Sequence, residues 1–150
     1  MAGRVPLPSE VGGQCVFCGI AQGRQPASVV VDEGDVLAFC DRQPVHHGHL
    51  LVIPREHAAD LAALPDAAGR AMFSLAQRLA AAVRRSGLPC DGVNLFLADG
   101  VAAGQEIDHV HLHVVPRTVR DGVFRITADW SLPSRSALDE TAARLRAALD

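Results

Sequence analysis

The apolar positions of the chain follow two periods. Ser28–Asp32 and Val36–Cys40 are short runs of β-branched and apolar residues. The intervening Glu33-Gly34-Asp35 has turn chemistry, which predicts a hairpin. His49–Pro54 reads as a third, strongly apolar strand, Gly92–Ala98 as a fourth and His109–Pro116 as a fifth. The helical period appears in Leu64–Ser86, where Met72, Leu75, Ala76, Leu79 and Val83 share one face. Pro65 suits its first turn and Gly87 the position just past its end. Arg70, Arg78, Arg84 and Arg85 fall on its solvated faces and cationic last turn. A second amphipathic helix is predicted over Ser136–Leu149, with Leu138, Leu145 and Leu149 as its apolar positions. Cys15–Gly23 forms a compact knuckle that can hold a short helix. The expected class is α+β, a mostly antiparallel five-stranded sheet with a long helix and a C-terminal helix packed on it.

At 150 residues, 49% of them hydrophobic, the chain can bury one sizeable core, so residues 14–150 are expected to form a single domain. Residues 1–13, rich in Gly and Pro, read as a flexible leader without the apolar stretch of a secretory signal. A cytoplasmic location is therefore expected. No run approaches the ~18 apolar residues of a membrane span. The net charge of −3, with mixed signs along the chain, gives no reason to expect nucleic-acid or membrane partners. The four cysteines, Cys15, Cys18, Cys40 and Cys90, do not suggest a disulfide framework without export. Cys40 and Cys90 read as small buried hydrophobes.

The chain has no lysine and no tyrosine. A phosphate-loop lysine, a Schiff base and a phenolic catalyst are thereby excluded. Histidine remains as the natural proton carrier and nitrogen nucleophile near neutral pH. Three of the seven histidines stand in His109-Val110-His111-Leu112-His113. Alternate strand residues share a face, so these three imidazoles project together, spaced by roughly 6–7 Å. Val110, Leu112 and Val114 project the other way, into the core. Three imidazoles on one face need a metal, a ligand or a reaction to offset their desolvation. The segment Ala103-Gly104-Gln105-Glu106, just upstream, can present backbone N–H groups to an anion, or can be a plain turn with Gly104 at positive φ.

Gly104-Gln105-Glu106-Ile107-Asp108-His109-Val110-His111-Leu112-His113-Val114-Val115-Pro116-Arg117 resembles the signature of the histidine-triad (HIT) superfamily. Val36-Leu37-Ala38-Phe39-Cys40-Asp41 and Gly48-His49-Leu50-Leu51-Val52-Ile53-Pro54-Arg55 resemble two upstream strands of that family. The resemblance runs from about Cys15 to Arg117. It implies a HIT-like fold and a hydrolase that cleaves at the α-phosphate of a nucleoside monophosphate conjugate. A phosphoramidate or a dinucleoside polyphosphate would be such a substrate, and the route a nucleotidyl-histidine intermediate. By the same resemblance His111 is the nucleophile and His113 its partner at the phosphate and leaving group. Asp41 would bind the ribose, Phe39 and Ile53 would either line the base pocket or simply pack in the core, and His49 would sit near the site. The Gly104, Gln105, Glu106 and Ile107 amides would hold the phosphoryl oxygens. Two positions depart from the family pattern. Ala98 stands where Asn or Gln is usual, with Asp99 beside it as a partial substitute, and Glu106 stands where Ser or Thr is common. Glu106 is expected to point outward. His46 and His47 are expected on a solvated loop.

The resemblance also implies a structural zinc on Cys15, Cys18, His57 and His109, with no catalytic metal and no organic cofactor. The alternative for the two cysteines is a pair of free or redox-active thiols. Most relatives are homodimers, which implies a dimer through the Leu64–Ser86 helix and the fourth strand. Two other functions remain open at the level of sequence. One is a metal-dependent enzyme using all three histidines as ligands. The other is a nucleotide-binding scaffold whose catalysis is incidental.

Overall fold

The computed structural model of the protein describes residues 5–124 and 130–149. Its centre is a five-stranded antiparallel sheet in the order β3-β4-β5-β7-β6. These strands are β3 (Val29–Glu33), β4 (Val36–Cys40), β5 (Leu50–Pro54), β6 (Gly92–Leu97) and β7 (Leu112–Arg117). A small hairpin of β1 (Glu10–Val11) and β2 (Gln14–Cys15) precedes the six-residue helix α1 (Val16–Ala21). The long helix α2 (Asp66–Arg85) joins β5 to β6, and α3 (Arg135–Ala147) closes the described chain. No helix among the described residues is long and apolar enough to cross a membrane.

The runs Val36–Phe39 and Leu50–Pro54 are continuous rather than alternating because the sheet is covered on both faces there. Val36, Ala38, Leu50 and Val52 pack with Val110, Leu112 and Val114 against the α2 stripe Met72, Leu75, Ala76, Leu79 and Val83. Leu37, Phe39, Leu51 and Ile53 point the opposite way, against Phe17 and Ala21 of α1. The expected α2 face is buried residue for residue.

Three expectations change. Strand β7 starts at Leu112, not His109. The residues His109–His111 run ahead of the sheet ladder, where the Val110 N–H donates to the Ala58 carbonyl (2.7 Å). The side-chain alternation nevertheless persists through them. Second, α3 has no buried residue, and Leu138 and Leu145 stay exposed, so it adds nothing to the core. Its two leucines, Leu138 and Leu145, make too narrow a stripe to hold a helix against a sheet already covered by α2. Third, Cys40 is exposed, since it ends β4 beyond the covered stretch. Cys90 is half-buried, its thiol directed at the Gly92 carbonyl (3.1 Å).

Leu75 is 1% exposed at the centre of the α2 contact. Leu75→Ala should destabilise the protein by about 2–5 kcal/mol, the usual range for a buried Leu truncation. A urea midpoint unchanged from wild type would contradict the packing described.

Candidate active site and metal cluster

The histidine segment is built by the alternation of β7 and its approach. Val110, Leu112 and Val114 anchor it on the α2 face. His109, His111 and His113 therefore emerge on the α1 face, where Phe17 lies 5.8 Å from the His109 ring and 5.3 Å from the His111 ring. The rings of His111 and His113 are 5.0 Å apart.

The three histidines have different partners. His109 is fully buried. Its Nε2–H donates to the Pro54 carbonyl (2.9 Å), which turns the Nδ1 lone pair toward α1. Burial lowers its pKa from 6.5 to about 4, with the neighbouring His57 and His111 adding to the shift, so the ring is neutral near pH 7. His111 donates from Nδ1 to the His109 carbonyl (2.7 Å). In the neutral His111 ring the lone pair is then on Nε2. His113 meets a different neighbour: its Nδ1 is 2.8 Å from Nε2 of His49.

His49 is held from the other side. The Val45 N–H donates to its Nδ1 (3.3 Å), so the proton of the neutral ring sits on Nε2. That proton faces His113 Nδ1, and the Asp41 carboxylate lies 3.5 Å from the same nitrogen. His113 Nδ1 is thus an acceptor, and the proton of its neutral ring is on Nε2. Gly48 makes this placement possible. Its φ of +83° is left-handed, and a Cβ there would meet Leu88 at 2.9 Å.

Asp41, His49, Gly104, Glu106, His111 and His113 line one cleft of about 740 Å³. Glu106, expected to face outward, is exposed and lines this cleft. Gly104 is left-handed at φ +88°, as one of the two turn readings required. The N–H groups of Gly104 and Gln105 donate to the Val101 and Gly100 carbonyls, so these two amides close the loop on itself. The Gln105 side chain does the same work. Its Oε1 accepts from the Gly100 N–H (2.7 Å), and its Nε2 donates to the carbonyls of Ala59 (2.7 Å) and Ile107 (3.0 Å). Ile107 packs on the α1-side core. Asp99 is exposed, accepts from the Leu61 N–H (2.9 Å) and is not part of the cleft wall. Phe39 and Ile53 are buried beneath α1, Phe39 edge-to-face with Phe17 at 5.6 Å, and they too are outside the cleft wall. His47 is exposed and His46 half-buried on the loop before β5.

Sequence reasoning passed over Phe17, Phe96 and Gln43. Phe96 is the register partner of His113 across β6 and β7, and their rings are 5.7 Å apart. Cross-strand register was the missing information; the alternation of β6 alone marks Phe96 only as one apolar position among several.

The second cluster joins Cys15, Cys18, His57 and His109, whose ligand atoms all lie within 4.8 Å of one another. The Cys15 Sγ–His109 Nδ1 and Cys18 Sγ–His109 Nδ1 separations are both 3.5 Å. Cys18 Sγ–His57 Nδ1 is 3.4 Å and His57 Nδ1–His109 Nδ1 is 3.3 Å. A tetrahedral zinc with bonds of ~2.3 Å to sulfur and ~2.05 Å to nitrogen requires S···N near ~3.6 Å and N···N near ~3.3 Å. The donor set therefore fits that ion. Burial and the neighbouring Cys15 raise the Cys18 thiol to about 11, so a cation is what would make it a thiolate. Among the described residues, the side-chain groups close enough to share an ion separate the three histidines. His109 falls with the cysteines, His113 with Asp41 and His49, and His111 with neither. This arrangement does not fit one ion bound by all three.

A family model for the HIT domain matches residues 22–119. An uncharacterised HIT-like protein of Mycobacterium tuberculosis is 42% identical over 102 residues, 68% of this chain and 70% of its own length. An Arabidopsis thaliana protein named adenylylsulfatase HINT3 is 36% identical, covering 91% of this chain and 68% of that protein. The Saccharomyces cerevisiae protein named adenosine 5'-monophosphoramidase HNT1 is 32% identical, covering 85% and 76%. Among solved structures, a HIT family protein of Bacillus anthracis superposes with a TM-score of 0.81 at 32% identity, over 91% of this chain and 97% of that one. A zinc-bound histidine triad family protein of Mycobacterium smegmatis is 38% identical with a TM-score of 0.70, covering 89% and 96%.

Proposed function

We propose that this chain, which belongs to the HIT family, is a nucleotide hydrolase that cleaves a nucleoside monophosphate conjugate at its α-phosphate through a nucleotidyl-His111 intermediate. The observation that carries this reading is the pair of opposed tautomers. His111 has Nδ1 bonded to the His109 carbonyl, and His113 has Nδ1 facing His49. One ring then offers a lone pair on Nε2 and the other a proton. A nucleophile and a general acid side by side are what P–N or P–O cleavage needs. The phosphoramidase and sulfatase names of the yeast and plant relatives support the same class.

In this reading His111 Nε2 attacks phosphorus as the bond to the leaving group breaks. The His49–His113 pair carries one added proton beside the Asp41 carboxylate, so the His113 Nε2 proton passes to the leaving amine or oxygen and a neutral ring remains. The new imidazolium keeps its Nδ1–H on the His109 carbonyl, which stabilises the positive ring. Water then attacks phosphorus, gives one proton to His113 and releases the monophosphate and neutral His111. The Val45 amide, His49 and Asp41 hold the Nδ1 side of the His113 ring, so the proton given up is the one on Nε2. Asp41, in the same cleft, is the residue proposed for the ribose. No step passes through a metal.

We further propose a structural zinc on Cys15, Cys18, His57 and His109. These four side chains would hold it and it would crosslink the cysteine knuckle to the histidine segment, with the His109 Nε2–H on the Pro54 carbonyl as the supporting contact. The fit of the donor distances and the zinc-bound relative support this reading. A homodimer is the third proposal. It is supported by the groove on α2 lined by Leu64, Pro65 and the exposed Phe73, and by β6 at the sheet edge.

Incubation with adenosine 5'-phosphoramidate should yield AMP and an acid-labile nucleotidyl adduct detectable by mass spectrometry. His111→Ala should abolish the adduct, and His113→Ala should slow turnover by about 10²–10⁴-fold, as expected for a lost general acid. Wild-type protein that yields neither product nor adduct with purine and pyrimidine conjugates would overturn the reading. Protein purified without chelator should contain close to one zinc per chain, and Cys18→Ser should lose it. A content under about a tenth of an equivalent would rule zinc out, given the tight binding of such sites. Sedimentation equilibrium should give twice the chain mass, and Phe73→Asp should shift it toward the monomer. A wild-type monomer at micromolar concentration would exclude the dimer.

A further inference from the structure

The catalytic histidines have aromatic neighbours on two sides. Phe17, with Phe39 behind it, flanks His111. Phe96 flanks His113, and the Phe124 ring lies 6.2 Å beyond it. Phe124 is itself held in place. The Arg117 guanidinium sits 5.1 Å from its ring centroid, and the same guanidinium is paired with Asp121 and donates to Asn94. On the proposed hydrolase reading His113 gives its proton to the leaving group. The leaving group must then sit on the side of Phe96 and Phe124.

The chain's own N-terminal segment reaches this cleft. Val5 and Leu7 line it together with Phe96, Val115 and Phe124. The contact is specific. The Val5 N–H donates to Gln43 Oε1 (3.0 Å), and Gln43 Nε2 donates back to the Val5 carbonyl (2.6 Å). The side-chain amide of Gln43 thus imitates a strand partner and satisfies both backbone groups of Val5. Gln43 is fixed in turn, because its own N–H donates to Asp41 Oδ1 (2.8 Å). A free leader would not be expected to form a reciprocal two-point contact. A residue that only capped a turn at Asp41 would need no long amide side chain.

Resting on the hydrolase reading above, we propose that Gln43 holds residues Val5 and Leu7 as one wall of a leaving-group subsite completed by Phe96 and Phe124, and that this subsite selects nucleoside monophosphates conjugated to an apolar, arylalkyl amine. An apolar wall gains from burying such a group and gains nothing from ammonia. Gln43 acts as a positioning residue; Val5 and Leu7 make the contact.

The test compares adenosine phosphoramidates of ammonia and of an arylalkyl amine, using the full chain. For wild type kcat/KM should favour the arylalkyl conjugate. Gln43→Ala and Leu7→Ser should each reduce that preference by about 10-fold, the scale of a lost apolar contact in a pocket. The change should appear in KM for the arylalkyl conjugate rather than in kcat. Leu7→Met, which keeps an apolar side chain, should retain the preference. Gln43→Ala should also speed hydrogen exchange at the Val5 amide, a readout independent of turnover. A preference unchanged in both variants, or absent in wild type, overturns the subsite while leaving the hydrolase reading intact. Unchanged Val5 exchange overturns the Gln43 contact. Failure of wild type to cleave either conjugate overturns the hydrolase reading, and the substrate preference falls with it.

Discussion

His109 uses every polar atom it has beyond its backbone N–H bond to Ile107. Its Nδ1 faces two thiols and a second imidazole, its Nε2–H is bonded to the end of β5, and its carbonyl holds His111. One buried residue therefore joins the cysteine knuckle, the central sheet and the candidate nucleophile. A buried polar group without partners costs several kcal/mol, so these contacts are obligatory for the fold. They also fix the tautomer of the ring two residues on.

The sheet makes this coupling possible. Its middle strands are covered by α2 on one face and by α1 on the other. The six residues of α1 bury little area by themselves, and short helices are marginal without tertiary support. Phe17 and the cysteine cluster supply that support and hold the helix over the histidine segment. The α2 face has no such duty. It is a plain apolar stripe whose work is to anchor Val110, Leu112 and Val114, so that the alternate residues stand on the other side.

The three histidines are equivalent in sequence and separate in the structure. Each has a different partner for Nδ1: the thiols for His109, a carbonyl for His111 and a second imidazole for His113. Those partners support the three separate roles proposed above, a ligand, a nucleophile and a proton donor, within five residues. Asp99 and Gln105 show the opposite case. Both lie close to the histidine segment in sequence, yet their side chains close loops.

Much was legible in the chain alone. The strand and helix periods located all five central strands and α2, because burial on one or both faces leaves a local signature. The motif residues named the histidines, Asp41, His49 and the four candidate metal ligands, because each lies in a short recognisable segment. The sequence could not show that His49 bridges Asp41 and His113, that Phe96 stands beside His113, or that Gln43 grips Val5. The His49–His113 and Gln43–Val5 contacts join residues 64 and 38 positions apart, and Phe96 meets His113 through strand register. Local pattern determines which face a residue takes; only the folded chain decides which distant side chain it meets there, because that depends on register, rotamer and the path of the loops.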